Sequence, residues 1–272
     1  MTHTNTTGFL YRLPMFVLLF WALAVAISLL LDFHPNIINL QKILVAPSFQ
    51  AVLGFDDLGR DVLARLINGA RVSIMVAIVV TVITMLFGTA VGLVSGFYGG
   101  KVDRFIMQIT NVFMAFPGML LAIAFAAVLG AGLGNLVIAL CMTSWVGYAR
   151  LTRAQALSLR NRQHVLAAES LGASVPRIMF KHMLPLLAAP LVVEATYSIA
   201  GLIIAEAGLS FLGLGIQAPN ASWGAMLRDG VRYMLVAPHY VLVVGLSLMS
   251  LVLAINLIGD QLRDTLDIKR DI

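Results

Sequence analysis

Two carboxylates, Glu194 and Glu206, stand inside stretches of this chain that otherwise carry no charge. A charged side chain at mid-bilayer costs roughly 2.5–3.5 kcal/mol on insertion scales, so an intramembrane Glu is by default a candidate for lining a translocation path. The two lie twelve residues apart, about 120° around a helix of 3.6 residues per turn, and so do not form a paired acid–base site on one face. Glu206 falls near the end of its apolar stretch, where snorkelling or capping competes with a role in the path. Asp260, Asp264 and Asp267 recur at i, i+4 and i+7 and could hold a hard cation, although they read more simply as the solvated end of the last helix. The histidines, His3, His34, His164, His182 and His239, form no i, i+4 pair on a span, and Cys141 is alone. No metal site is expected. The one Gly-Lys pair, Gly100-Lys101, precedes Val102, which excludes a phosphate loop of the Gly-Lys-Ser/Thr type. Gly213-Leu-Gly215-Ile-Gln-Ala218 follows an apolar span instead of a soluble strand, so it is not read as a dinucleotide fingerprint. The chain is expected to be no enzyme and to hold no cofactor; uphill transport would draw its energy from another subunit.

Elements that position such residues must be membrane helices. With 60% hydrophobic and 11% charged residues and a mean hydropathy of +0.94, the chain cannot coat a soluble globule. A spanning helix needs about 20 apolar residues. The uncharged runs are Leu13 to Leu31, Val72 to Gly100, Phe105 to Ala149, Leu184 to Leu227 apart from the two Glu, and Tyr233 to Gly259. Gly130, Gly132, Gly134 and Asn135 divide the third run into two helices joined by a tight turn. The fourth is helical to about Phe211 and then enters a Gly/Pro/Asn-rich loop. The spacing therefore predicts an all-α integral membrane protein with six transmembrane helices. Its parts would be a tail and first span over 1–31, an external segment over 32–71, and a five-helix core over 72–272 that includes a cytoplasmic loop at 150–185. Most Lys and Arg, among them Arg150, Arg153, Arg160, Arg162, Lys181, Lys269 and Arg270, then fall on one side, which places both termini in the cytoplasm. The 19 apolar residues of the first span exceed the 7–15 of a signal-peptide core. Nothing interleaves basic and aromatic residues as nucleic-acid binding would require.

Within the external segment, Leu58, Val62 and Leu66 share a helical face and predict an amphipathic helix at the outer surface. Asp61 and Arg65 would pair at i, i+4, and Asp56 or Asp57 would cap its start. Asp57, Arg60, Asp61, Arg228 and Asp229 are candidates for external contact or gating. In the second span Gly88, Gly92, Gly96 and Gly100 form a stripe that favours close helix packing.

The polar insert at 165–185 places Ala167, Ala168, Gly172, Leu184 and Pro185 on the spacing of the loop by which ABC-importer membrane subunits dock on their ATPases. Leu166 stands where that pattern has Glu, and His182 where it has Ile. Residues 53–66, Gly-Ala-Arg-Val-Ser at 69–73, Leu-Ser-Phe-Leu-Gly-Leu-Gly at 209–215, Ser-Trp-Gly-Ala-Met-Leu at 222–227 and the run at 256–267 complete the match. Together they resemble the second permease subunit of dipeptide, oligopeptide and nickel ABC importers. The resemblance implies a type I ABC importer permease fold in the cytoplasmic (inner) membrane, with a cytoplasmic coupling helix. It also implies a heterodimer with a homologous permease, two ATP-binding cassette subunits that bind the ATP and Mg, and an external substrate-binding protein. Leu166, Ala167, Ala168, Glu169, Leu171, Gly172, Leu184 and Pro185 would then couple the chain to its ATPase. The small Ala167, Ala168 and Gly172 would enter a groove there, with Leu166 or Leu171 as an apolar anchor. Peptide import is the first reading. Nickel or nickel-chelate import is the alternative, and a peptide-efflux or scaffold component is a more distant one.

Overall fold

The computed structural model describes residues 6–30, 34–49 and 51–268, with His3, Lys269, Arg270 and the Asp267 side chain outside the described residues. Helix α1 (Thr6–Leu30) shows Phe16, Phe20 and Leu23 to the surroundings while burying Trp21. The Trp21 indole donates to Ser250 Oγ at 3.1 Å.

Helix α2 (Val62–Tyr98) is one uninterrupted helix of 37 residues, about 55 Å long. The separate surface helix expected over the external segment does not exist, because α2 runs straight through Arg71 and Val72. The cause is burial: Val62, Leu66 and Ala70 join the same apolar core as Val76, Ala77 and Val80, so one face continues across the expected boundary. The preceding described residues, 34–49 and 51–61, form a loop with isolated bridges Ser48 to Ala51 and Phe55 to Asp61. Gly99 at φ 63° and Gly100 at φ 55° reverse the chain after α2, using a conformation that side chains disfavour.

Helix α3 (Gly100–Met114) and helix α4 (Gly118–Leu129) are bent by 84° at their junction, where a single helix up to Gly130 was expected. Pro117 explains the break, since it lacks an N–H and excludes the helical conformation from Phe116. The turn at Gly130 and Gly132 is where the sequence put it, closed by the Asn135 side-chain amide donating to the Leu129 carbonyl at 2.7 Å. Helix α5 (Leu133–Arg160) and the short α6 (Gln163–Ser170) follow. Then α7 (Val175–Arg177) passes through a π-turn at Ile178–Met183 into α8 (Leu184–Phe211). A helix in the outer loop, α9 (Trp223–Val231), precedes α10 (Pro238–Ile268).

The tightest seam joins α2 to α5. A Cβ on Gly88 would stand 2.7 Å from Tyr148 Cβ, one on Gly92 2.7 Å from Thr152 Cβ, and one on Gly96 2.6 Å from Ala156 Cβ. Three glycines therefore make the stripe. Gly100 does not belong to it, for its Cβ would meet nothing within 4 Å. Loop contacts gather at the end of the bundle where α2 and α5 begin: Gly132 N–H donates to the Gly215 carbonyl at 3.1 Å, and Trp223 Nε1 to the Leu66 carbonyl at 2.9 Å. Among the described residues four helices are long and apolar enough to cross a membrane, and the bent pair raises this to five. The expected six is not reached on that criterion.

Candidate functional site

Helix α6 projects from the end of the bundle opposite α9. Val165 and Ala168 turn inward onto Ile178, Met179 and Met183, while Leu166 is 46% and Leu171 88% exposed. The helix ends in a turn: Leu171 N–H donates to the Ala167 carbonyl at 3.0 Å and Gly172 N–H to that of Glu169 at 2.9 Å. Gly172 has φ 77° and open space around it, so its smallness serves backbone conformation and not close approach within this chain. Ala168 corrects the sequence reading, since it faces the core and cannot enter a partner groove. Ala167 and Glu169 are exposed. Leu184 packs against the same apolar cluster, and Pro185 sits in the first turn of α8, where a missing N–H costs nothing.

At the other end the organising group is Asp56, which is 0% exposed. Its Oδ1 accepts from the amides of Leu58 and Arg60, each at 2.9 Å. Its Oδ2 lies 2.6 Å from Arg60 Nε and 3.2 Å from Arg65 Nε. Arg65 therefore pairs with Asp56 and not with Asp61, and Asp61 caps α2 by accepting from Ala64 N–H at 2.9 Å. Arg60 is 6% exposed and presents almost nothing to an external partner. Arg60 Nη2 also reaches Asp57 Oδ1 at 3.3 Å. Burial and the neighbouring Asp56 charge lift the Asp57 carboxyl above its ordinary value, with Arg60 pulling the other way and Asp229 adding to the lift. Asp229, on α9, is close enough to the external loop for its charge to be felt there. Arg228 pairs with its neighbour Asp229 at 3.3 Å.

Glu206 does not snorkel. It is fully buried, accepting from Ser73 Oγ at 2.6 Å and Ser210 Oγ at 2.7 Å, and Ser210 Oγ in turn accepts from Ile216 N–H at 3.2 Å. It ties α2, α8 and the following loop together. Glu194 is half-buried and opens on a cavity between α5, α8 and α10. The structure thus separates the two path candidates into a fastener and a group with access.

A third polar junction escaped the sequence reading. Asp103 Oδ2 meets Arg153 Nη2 at 2.6 Å, Asp103 Oδ1 meets Arg153 Nε, and Ser95 Oγ donates to Asp103 Oδ1 at 2.5 Å. It joins α2, α3 and α5 at the end that carries α6. Arg153 is 50 residues from Asp103, so no local spacing announces the pair. The Asp260, Asp264 and Asp267 run forms no cation cage in what is described. Asp260 accepts from Tyr197 OH at 2.6 Å, and among the described residues no group of three metal-ligating side chains occurs.

This helical arrangement superposes on the MetNI methionine ABC transporter in inward-facing form with a TM-score of 0.61 at 20% identity, covering 74% of this chain and 95% of that one. The fold is thus the helical, type I fold of ABC importer membrane subunits. The family model for the binding-protein-dependent transport system inner membrane component matches residues 88–269, and the chain belongs to that family. Its relatives include the glutathione transport system permease protein GsiD of Pectobacterium atrosepticum, 41% identical over 94% of this chain and 85% of that protein. The dipeptide transport system permease protein DppC of Alkalihalophilus pseudofirmus is 42% identical over 83% and 74%. The nickel transport system permease protein NikC of Escherichia coli K12 is 39% identical over 87% and 86%. As a member of this family the chain works with ATPase and binding-protein partners as a multi-pass inner-membrane component.

Proposed function

We propose that this chain is one permease subunit of an ATP-driven importer of di- or oligopeptides, paired with a homologous permease and served by an external binding protein. The observation that carries the substrate class is the similarity to permeases named for glutathione, dipeptide and oligopeptide transport; glutathione is itself a tripeptide. ATP and Mg bind the partner ATPase subunits, and the exposed edge of α6, with Leu166, Ala167, Glu169 and Leu171, docks there. The membrane is crossed six times, α5 included, with both termini cytoplasmic. Cationic α5 and α6 residues then lie inside, which the charge rule favours, and the Asp57, Asp61, Arg228 and Asp229 surface lies outside. The second reading, nickel or chelate import, is favoured by the similarity to NikC over nearly its full length. Uptake of labelled dialanine and of radioactive nickel, measured side by side in cells with and without this gene, decides between them. Loss of dialanine uptake alone supports the first reading, and loss of nickel uptake alone overturns it.

A further inference from the structure

We propose that the groove between α2 and the π-turn leading into α8 binds an anionic phospholipid of the cytoplasmic leaflet, one acyl chain lying in the groove and the phosphodiester meeting Arg177 and Lys181. This rests on the reading that both termini and α6 are cytoplasmic, and adds to it a ligand distinct from the cargo. The groove has a volume of about 390 Å³ and is lined by Leu86, Ala90, Val94, Tyr98, Pro176 and Phe180, among others. Its α2 wall runs from Met85 to Tyr98, about 20 Å of helix axis. A chain confined to one leaflet spans about half of a hydrocarbon core roughly 30 Å thick, so the wall is long enough to hold one. Leu86 is 64% and Phe180 66% exposed, which opens the groove outward from the bundle. Tyr98 is the last residue of α2, and a ring carrying a hydroxyl suits the headgroup level.

Charge at that level selects an anionic lipid over a neutral one. Arg177 and Lys181, the residues that follow Pro176 and Phe180, are exposed and form no ion pair or side-chain hydrogen bond among the described residues. Lys101, shortly after Tyr98 in the chain, is exposed as well. No Asp or Glu occurs over 72–102 or over 170–193, and the next carboxylate along, Asp103, is held by Arg153. The neighbourhood is therefore cationic with no acidic residue of its own segments to balance it, the arrangement that draws phosphate headgroups to basic pockets on the cytoplasmic side. An apolar partner helix in the groove would leave those cations unmatched. The second wall gives occupancy a consequence. Met179 lines the groove and belongs to the same apolar cluster as Val165 and Ala168 of α6, so a seated lipid braces the segment that carries α6.

The test uses the full complex with partner permease and ATPase subunits, delipidated in detergent. Native mass spectrometry follows titration with dioleoylphosphatidylglycerol and, separately, dioleoylphosphatidylcholine. The parent's tightest site should prefer phosphatidylglycerol at least tenfold, and the double substitution Arg177→Gln with Lys181→Gln should level the two lipids. Ala90→Trp, which fills the groove from an exposed position, should weaken both at least tenfold. Two controls, Arg232→Gln at the opposite end and Val128→Trp at an 87% exposed position outside the groove, should change neither. Equal affinity of the parent for both lipids, a preference that survives the double substitution, unchanged binding to Ala90→Trp, or full competition by free glycerol 3-phosphate would each overturn the proposal. Topology is tested separately by labelling Lys181→Cys, in a Cys141→Ala chain, with a membrane-impermeant maleimide. Labelling only after spheroplasts are broken supports the cytoplasmic position, and labelling of intact spheroplasts sinks that reading, and with it the leaflet named here, whatever the titration shows.

Discussion

Asp56 and Asp61 exchange the roles their sequence positions imply, and that exchange can be measured. Asp56 is fully buried, accepts from two amides and from Arg60 Nε, and forms an ion pair at 3.2 Å with Arg65, which is itself 2% exposed. Asp56→Ala leaves that guanidinium buried without its anion, a class of change that costs about 3–5 kcal/mol. Asp61 supplies one cap bond to Ala64 N–H, and its loss costs about 1 kcal/mol. At about 2–4 °C per kcal/mol for a chain approaching this size, Asp56→Ala should lower the Tm of the detergent-solubilised complex by roughly 6–20 °C and Asp61→Ala by only a few degrees. Asp56→Asn should fall between them, because Oδ1 still accepts the amides of Leu58 and Arg60 while the charge is gone. Followed by intrinsic fluorescence on heating, an Asp61→Ala loss equal to or larger than that of Asp56→Ala would refute the assignment. It would restore the simpler i, i+4 pairing of Asp61 with Arg65.

Gly88→Ala and Gly96→Ala force a Cβ into the α5 backbone and side chains and should each cost about 1–3 kcal/mol by overpacking. Gly134→Ala, which meets open space, should leave the melting curve unchanged. Gly172→Asn should keep binding-protein-stimulated ATP hydrolysis, because Asn tolerates the left-handed backbone, whereas Gly172→Val should reduce it; loss with Asn would return the role of Gly172 to its size. The Asp57 carboxyl titrates above its ordinary 3.8 in the folded chain, so protonation favours the fold. Its contribution is full below that ordinary value and is lost as pH rises through the higher folded one. The Tm of Asp57→Asn minus that of the parent should therefore be near zero at low pH and increase across that window, and a difference that shrinks with rising pH would contradict the shift.

Apolar run lengths were enough to find α1, α8 and α10, because a bilayer-length stretch without charges has few other uses. They misplaced the start of α2, since Asp61 and Arg65 look like the polar face of a surface helix until Asp56 and Pro35 of the preceding loop close on Arg65. They also missed the bend at Pro117, which lies inside an apolar run and changes no hydropathy. The glycine stripe was legible as packing, but its partner on α5 was not, because knowing that Gly92 meets Thr152 requires the fold. The same holds for Asp103 with Arg153: a pair 50 residues apart leaves no periodic trace.

What these distant contacts share is position. Residues that sequence spacing revealed lie along single helices, whereas the polar groups it missed or misassigned sit where elements meet. Asp56 holds the loop to the start of α2, Glu206 holds α2 to α8 midway, and Asp103 holds α3 to α5 at the other end. The glycine seam lies between the latter two and permits close backbone approach without polar bonds. Since α5 is followed almost at once by α6, a displacement of α6 that moves α5 meets α2 across that seam. Loosening the seam with Gly92→Leu should consequently depress coupled ATP hydrolysis more than Asp61→Ala does, even when both variants insert in the membrane in equal amount. Equal coupling in the two would place the connection elsewhere in the bundle.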